Sequence, residues 1–115
     1  VGFRMFAGYV AAKHGVVGLT KALAVDYAAH GIRVNAVSPT SVYDDPSGEP
    51  GMLAGVAGIM RVDVDAYEQT SHQLHPMNTL VYPEDVAAAA LWLGSDASAR
   101  STGTVLFVDA GFTAR

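Results

Sequence analysis

Cysteine is missing from all 115 residues, so the chain can form neither a disulfide framework nor a thiolate zinc site. Charge is scarce at 16% of residues, and the seven Lys and Arg are scattered. No basic stripe therefore exists to track a nucleic-acid backbone or an anionic membrane. No apolar run approaches the roughly 20 residues of a membrane span. The first residues, Val1-Gly2-Phe3, carry no initiator methionine and none of the features of a signal peptide. Also absent is a glycine-rich turn after a first strand, and with it a pyrophosphate site at a helix N-terminus. The formal net charge is −4 with a pI of about 5.3. The expectation is a soluble, cytoplasmic protein with a small-molecule partner and neither nucleic acid nor membrane as ligand.

What is present is strongly apolar: half of the residues are hydrophobic. A short chain leaves a large share of its surface in water, so faces this apolar call for partners. We expect the sequence to be a piece of a larger unit, completed by further chain or by other subunits.

The spacing predicts a long helix from about Gly8 to Ala29. Val16, Leu19, Leu23 and Tyr27 recur at intervals of three and four, as a buried stripe requires, and Val10, Val17 and Ala24 form a second stripe. Gly31 suits the left-handed position that ends a helix, with Ile32 as the apolar residue beyond it. Ile32 to Ser38 reads as a strand closed by Pro39. A second helix opens at Pro83-Glu84-Asp85, where proline fits the first position and the acids face the positive end of the helix dipole. Its apolar face is Val86, Ala89, Ala90 and Leu93, and Gly94-Ser95-Asp96 closes it. Thr104 to Val108 is a nearly continuous apolar strand, the habit of strands buried on both faces of a parallel sheet.

Between these units lies Thr40 to Tyr82, with Pro46, Pro50 and Pro76 and three of the four methionines. Met52, Val56, Ile59 and Met60 suit one short helix and Asp63 to His72 another, with Asp63 and Asp65 placed to cap it. An adaptable, Met-bearing insertion between core elements reads as a lid. Two strands do not make a stable sheet unaided, so further strands are expected from elsewhere.

Tyr9 and Lys13 stand four apart near the start of the first helix and share one face. A phenol ordinarily titrates near pH ~10, too high for proton exchange at neutrality. A neighbouring ammonium favours the phenolate, which makes such a pair a tuned acid/base for a carbonyl or hydroxyl group. Tyr and Lys at this spacing are also common on solvated helix faces, so the surrounding sequence has to decide.

That surrounding sequence resembles the short-chain dehydrogenase/reductase family. Tyr9-Val-Ala-Ala-Lys13-His-Gly-Val-Val-Gly-Leu-Thr-Lys-Ala-Leu-Ala is similar to the family's active-site helix, and Gly31-Ile-Arg-Val-Asn-Ala-Val-Ser-Pro39 to the strand after it. Pro83-Glu-Asp-Val-Ala, Ser95-Asp-Ala-Ser, Thr102-Gly-Thr and Val108-Asp-Ala-Gly111 are similar to its closing helix, turn and last strand. The blocks follow in family order over nearly the whole chain.

The resemblance implies an α/β fold: the C-terminal part of a Rossmann-like, doubly wound parallel sheet over residues 1–115, with a substrate-lid insertion at about 43–80. The nucleotide-binding N-terminal half is absent. It implies hydride transfer between a nicotinamide cofactor and a small secondary alcohol or ketone. The cofactor is NAD or NADP, a choice made upstream of Val1. The residue matching Tyr9 is the general acid/base, and the one matching Lys13 holds the nicotinamide ribose. Pro39, Thr40, Ser41 and Val42 would flank the cofactor at the carboxyl end of a strand. Tyr43, Met52, Leu53, Val56 and Met60 would line the substrate side. A homo-oligomer, tetramer or dimer, is implied as well.

Two departures stand out. Thr40 occupies a position where the family usually has glycine. With the lid and Leu74-His-Pro-Met77, this resembles the mycofactocin-coupled, carveol-dehydrogenase-like branch, which leans to NAD. Asp44 stands where a threonine typically contacts the cofactor amide; a carboxylate accepts from an NH2 but cannot donate. The other readings are a non-catalytic binding or scaffold subunit, or an inactive truncated product, and by itself the chain is expected to be inactive. His72 and His75 are expected on a lid surface rather than around a metal. His14 is expected to be a packing or interface residue, Tyr27 a packing residue of the helix stripe, Trp92 to flank the last helix, and Arg4 to face solvent.

Overall fold

The structure is a computed structural model that describes residues 6–43 and 52–114. Arg4, Asp44, Pro46 and Pro50, and the Met52 side chain, lie outside the described residues. The regular elements are α1 (Ala7–Tyr27), β1 (Ala36–Pro39), α2 (Met52–Met60), α3 (Val64–Leu74), α4 (Pro83–Gly94) and β2 (Val105–Val108). β1 and β2 are neighbours in a two-stranded sheet. The Ala36 N–H reaches the Thr104 carbonyl at 3.0 Å and the Thr40 N–H the Val108 carbonyl at 3.3 Å. Donors and acceptors advance together along both strands, which is parallel pairing and the α/β arrangement expected. No helix among the described residues is long and apolar enough to cross a membrane. The chain divides into two compact units, 6–37 with 89–106, and 38–43 and 52–88 with 107–114.

In the first unit, α1 stops as its sequence dictates. A short 3-10 turn, Ala28–His30, leads into Gly31, whose φ of 71° is left-handed. The Gly31 N–H bonds the Ala28 carbonyl at 3.0 Å and the Ile32 N–H the Tyr27 carbonyl at 3.3 Å, the paired closure of a Schellman motif. The buried face of α1 differs from the expected stripe. Thr20 and Ala24 are buried, while Val16, Leu19 and Tyr27 are 50%, 56% and 45% exposed. What this unit packs against α1 is small: a Cβ added at Gly103 would lie 3.4 Å from the Ala24 Cβ. Thr20 fits a buried helical position because its hydroxyl donates to the Val16 carbonyl at 2.8 Å.

β1 begins at Ala36, four residues later than expected, and runs through Pro39. The reason lies in side chains that take the place of ladder bonds. The Arg33 guanidinium donates to the Ser98 hydroxyl (3.0 Å) and to the carbonyls of Ser95 (3.2 Å) and Ser101 (3.3 Å). Asn35 accepts the Thr104 N–H at 3.1 Å and donates to the Ser101 carbonyl at 2.9 Å. The Val34 N–H goes to the Thr102 hydroxyl at 3.1 Å. Pro39, lacking an N–H, is tolerated at the strand's last position.

In the second unit the core is Leu53, Ala57, Leu80 and Val81, each at most 3% exposed. α2 packs on α3. Asp63 caps α3 as expected, its carboxylate accepting the N–H groups of Asp65 (3.1 Å) and Ala66 (3.2 Å). β2 was expected to be buried on both faces; its Phe107 is 55% exposed, since two strands cannot cover each other's faces.

Candidate functional site

Tyr9 and Lys13 lie in the first two turns of α1, and the helix brings them together. The Lys13 Nζ stands 5.3 Å from the Tyr9 ring centroid, within cation–π range. Phe6 meets the Tyr9 ring edge-on, with centroids 6.2 Å apart at 80°, and supports it from the preceding turn. Tyr9 is 48% exposed and Lys13 is exposed, so hydroxyl and ammonium are both open to a ligand. An ammonium with three donors beside a phenol suits a vicinal diol such as a ribose, and to that extent the pair fits a nicotinamide nucleoside. His14 is exposed, and its Nδ1 meets the Val10 carbonyl at 2.8 Å, one turn back on the same helix.

In the second unit, the segment after β1 is held from two sides. The Thr40 backbone bonds β2, as above. Beyond it, the Val81 N–H reaches the Ser41 carbonyl at 3.3 Å and the Tyr43 N–H the Val81 carbonyl at 2.7 Å, a parallel bridge centred on Val42 and Val81. The rings of Tyr43 and Tyr82 are 5.4 Å apart. Pro39 is exposed, and Thr40, Ser41, Val42 and Tyr43 are half-buried. This short run is therefore ordered by partners from 81, 82 and 108. Asp44, expected beside the cofactor amide, lies outside the described residues.

His75 corrects the expectation of a lid-surface residue, since it is 3% exposed. Its Nδ1 meets the Ser71 carbonyl, one turn back at the end of α3, and its Nε2 lies 3.2 Å from the Thr40 hydroxyl. The Phe112 ring covers it with centroids 5.3 Å apart. The turn after β2 supports that arrangement. The Asp109 carboxylate accepts the N–H groups of Gly111 and Thr113, each at 3.0 Å, and the Thr113 hydroxyl. Burial alone would push the Asp109 carboxyl up, but the Thr113 hydroxyl and the two N–H groups outweigh it, with the nearby His75 acting in the same direction. The carboxyl is held below its ordinary value of 3.8. His72, by contrast, is only half-buried and lies 3.8 Å from Glu68. No group of His, Asp and Glu among the described residues could hold a metal ion.

Of the residues expected to line the substrate side, Leu53 is buried, Val56 half-buried and Met60 54% exposed. Leu53 thus belongs to the core of the second unit, whereas Met60 is exposed apolar surface. Sequence reasoning misses His75, Ser71 and Asp109. The available signal was His75-Pro76 directly after an amphipathic helix, a place where a ring can fold back on its own helix end.

Comparison with known proteins gives consistent results. A family profile described as Enoyl-(Acyl carrier protein) reductase matches residues 1–113. The 2,5-dichloro-2,5-cyclohexadiene-1,4-diol dehydrogenase of Sphingobium indicum is 44% identical over 115 residues, covering 99% of this chain and 42% of that protein. The aldohexose dehydrogenase of Thermoplasma acidophilum, in ligand-free form, superposes with a TM-score of 0.86 at 32% identity, over 100% of this chain and 44% of that one. A 4-hydroxyisoleucine dehydrogenase complexed with NADH gives a TM-score of 0.74 at 28% identity, over 95% of this chain and 39% of that one. The chain spans about two fifths of the length of these relatives.

Proposed function

The chain belongs to the short-chain dehydrogenase/reductase family, and from that premise we propose that it is the catalytic C-terminal part of an NAD(P)-dependent oxidoreductase acting on a small, apolar secondary alcohol or its ketone. The observation that carries the reading is the Tyr9–Lys13 pair, open to a ligand on the first turns of α1. In the reductive direction Tyr9 gives its proton to the carbonyl oxygen; in the oxidative direction it takes the proton of the alcohol. Lys13 holds the ribose hydroxyls, and its charge stabilises the phenolate left when the proton departs. A bound nicotinamide ring supplies or receives the hydride. Pro39, Thr40, Ser41 and Val42 flank it, and Tyr43, Val56 and Met60 face the substrate.

The proposed substrate class is supported by the apolar composition of residues 40–82 and by a relative named as a dichlorocyclohexadienediol dehydrogenase. NAD is favoured by a neighbour complexed with NADH and by the similarity of Thr40 and Leu74 to Met77 to the carveol-dehydrogenase-like branch. A homo-oligomer is supported by the exposed apolar side chains Val16, Leu19, Leu91 and Trp92. Residues 1–115 alone should not turn over, because a glycine-rich pyrophosphate site has to come from further sequence.

The test is turnover by the complete protein on cyclic secondary alcohols and their ketones, followed by nicotinamide absorbance with NAD and NADP in parallel. Reduction of either cofactor by such an alcohol supports the reading. A protein that binds cofactor yet turns over none of these substrates in either direction is a scaffold instead.

A further inference from the structure

His75 and Thr40 are thirty-five residues apart in sequence, yet they meet at 3.2 Å through Nε2 and Oγ1. On the other side of the ring, Nδ1 meets the Ser71 carbonyl. A carbonyl only accepts, so Nδ1 carries the ring proton. In the neutral imidazole Nε2 is then an acceptor, and the Thr40 hydroxyl must donate into it. The hydroxyl's one hydrogen is thereby used, and its two lone pairs are left to accept from a ligand. The ring is fixed on every side that bears on this polarity. The Phe112 ring packs against it, tilted by 39° with centroids 5.3 Å apart. The following residues are fastened by the Met77 N–H on the Ala110 carbonyl at 3.2 Å, and Pro76 lies against Gly111.

We propose that His75 is a positioning residue that turns Thr40 into a dedicated acceptor for the carboxamide N–H of the nicotinamide. The inference rests on the oxidoreductase reading above, which puts Thr40 beside that ring. Ser71 fixes the tautomer of His75, His75 fixes the rotor of Thr40, and Thr40 recognises an amide donor. The end of α3, which belongs to the lid, is thereby tied to the cofactor by one hydrogen-bonded chain.

The test measures dissociation constants of the complete protein for its natural dinucleotide and for the 3-acetylpyridine analogue, which has no N–H to donate. Thr40→Val and His75→Phe should each weaken the natural cofactor about tenfold, the loss of roughly one hydrogen bond. The double variant should be no worse, because the two act as a unit. Affinity for the analogue should not move, and Thr40→Ser should retain wild-type affinity for both. Should His75→Phe fail to fold, Thr40→Val and Thr40→Ser carry the same contrast, and imidazole 15N shifts of the wild type report the tautomer. Protonated Nδ1 with bare Nε2 is expected; the opposite tautomer overturns the inference. So do additive losses, or equal losses for both dinucleotides. Variants indistinguishable from a cofactor-binding wild type overturn the inference alone, whereas a wild type that binds neither dinucleotide overturns the oxidoreductase reading and this inference with it.

Discussion

The Lys13 ammonium lies 5.3 Å from the centre of the Tyr9 ring, one helical turn further along α1. Four-residue spacing enforces that proximity, so it depends on nothing distant in the chain. Lys13→Met keeps the helix and most of the aliphatic stem but removes the charge. In the complete protein it should lower kcat/KM by on the order of 10²-fold or more, since both ribose binding and proton transfer lose a partner. Steady-state kinetics read this directly; a value within about twofold of wild type would show that the ammonium has no part in the reaction.

Asp109 supplies a pH prediction with a definite sign. Its carboxyl is held below its ordinary 3.8 in the folded chain by bonds from Thr113 and Gly111 that outweigh burial. A carboxyl whose folded pKa is depressed contributes stability that is fully present above the unfolded value and lost as pH falls through the folded one. Asp109→Asn should therefore be less stable than wild type at neutral pH, and the two should converge below the ordinary carboxylate range. Urea midpoints across that range test it, and a gap that persists undiminished into strong acid contradicts it.

Gly111 combines two demands that only glycine meets. Its φ is 86°, and a Cβ there would stand 3.1 Å from the Pro76 Cγ. Gly111→Ala should destabilise the protein by about 1–3 kcal/mol through backbone strain and that close contact. An unchanged denaturation midpoint would mean that the turn and Pro76 can move apart freely.

Much of this was legible in sequence where the cause is local. The helix end at Gly31 follows from its left-handed conformation, the cap at Asp63 from a carboxylate two and three residues from the N–H groups it accepts, and the Tyr9–Lys13 pair from helical spacing. Distant causes were not legible. The strand start was set too early because Arg33 and Asn35 bond to residues 95 to 104, more than sixty positions away. His75 read as surface because its partners, Thr40 and Phe112, come from other segments. The α1 stripe of Val16, Leu19 and Tyr27 has the correct period, yet the covered positions are the small Thr20 and Ala24. Periodicity reports that a face is apolar, not what covers it.

The central claim is that Tyr9 moves the proton while the hydride is transferred, and replacing its hydroxyl by hydrogen tests this most directly. Rapid-mixing measurement of hydride transfer in complete Tyr9→Phe protein, with cofactor affinity measured alongside, separates chemistry from binding. The account predicts a fall in the transfer rate of on the order of 10²–10⁴-fold, with cofactor still bound. A Tyr9→Phe variant that transfers hydride at the wild-type rate would contradict it.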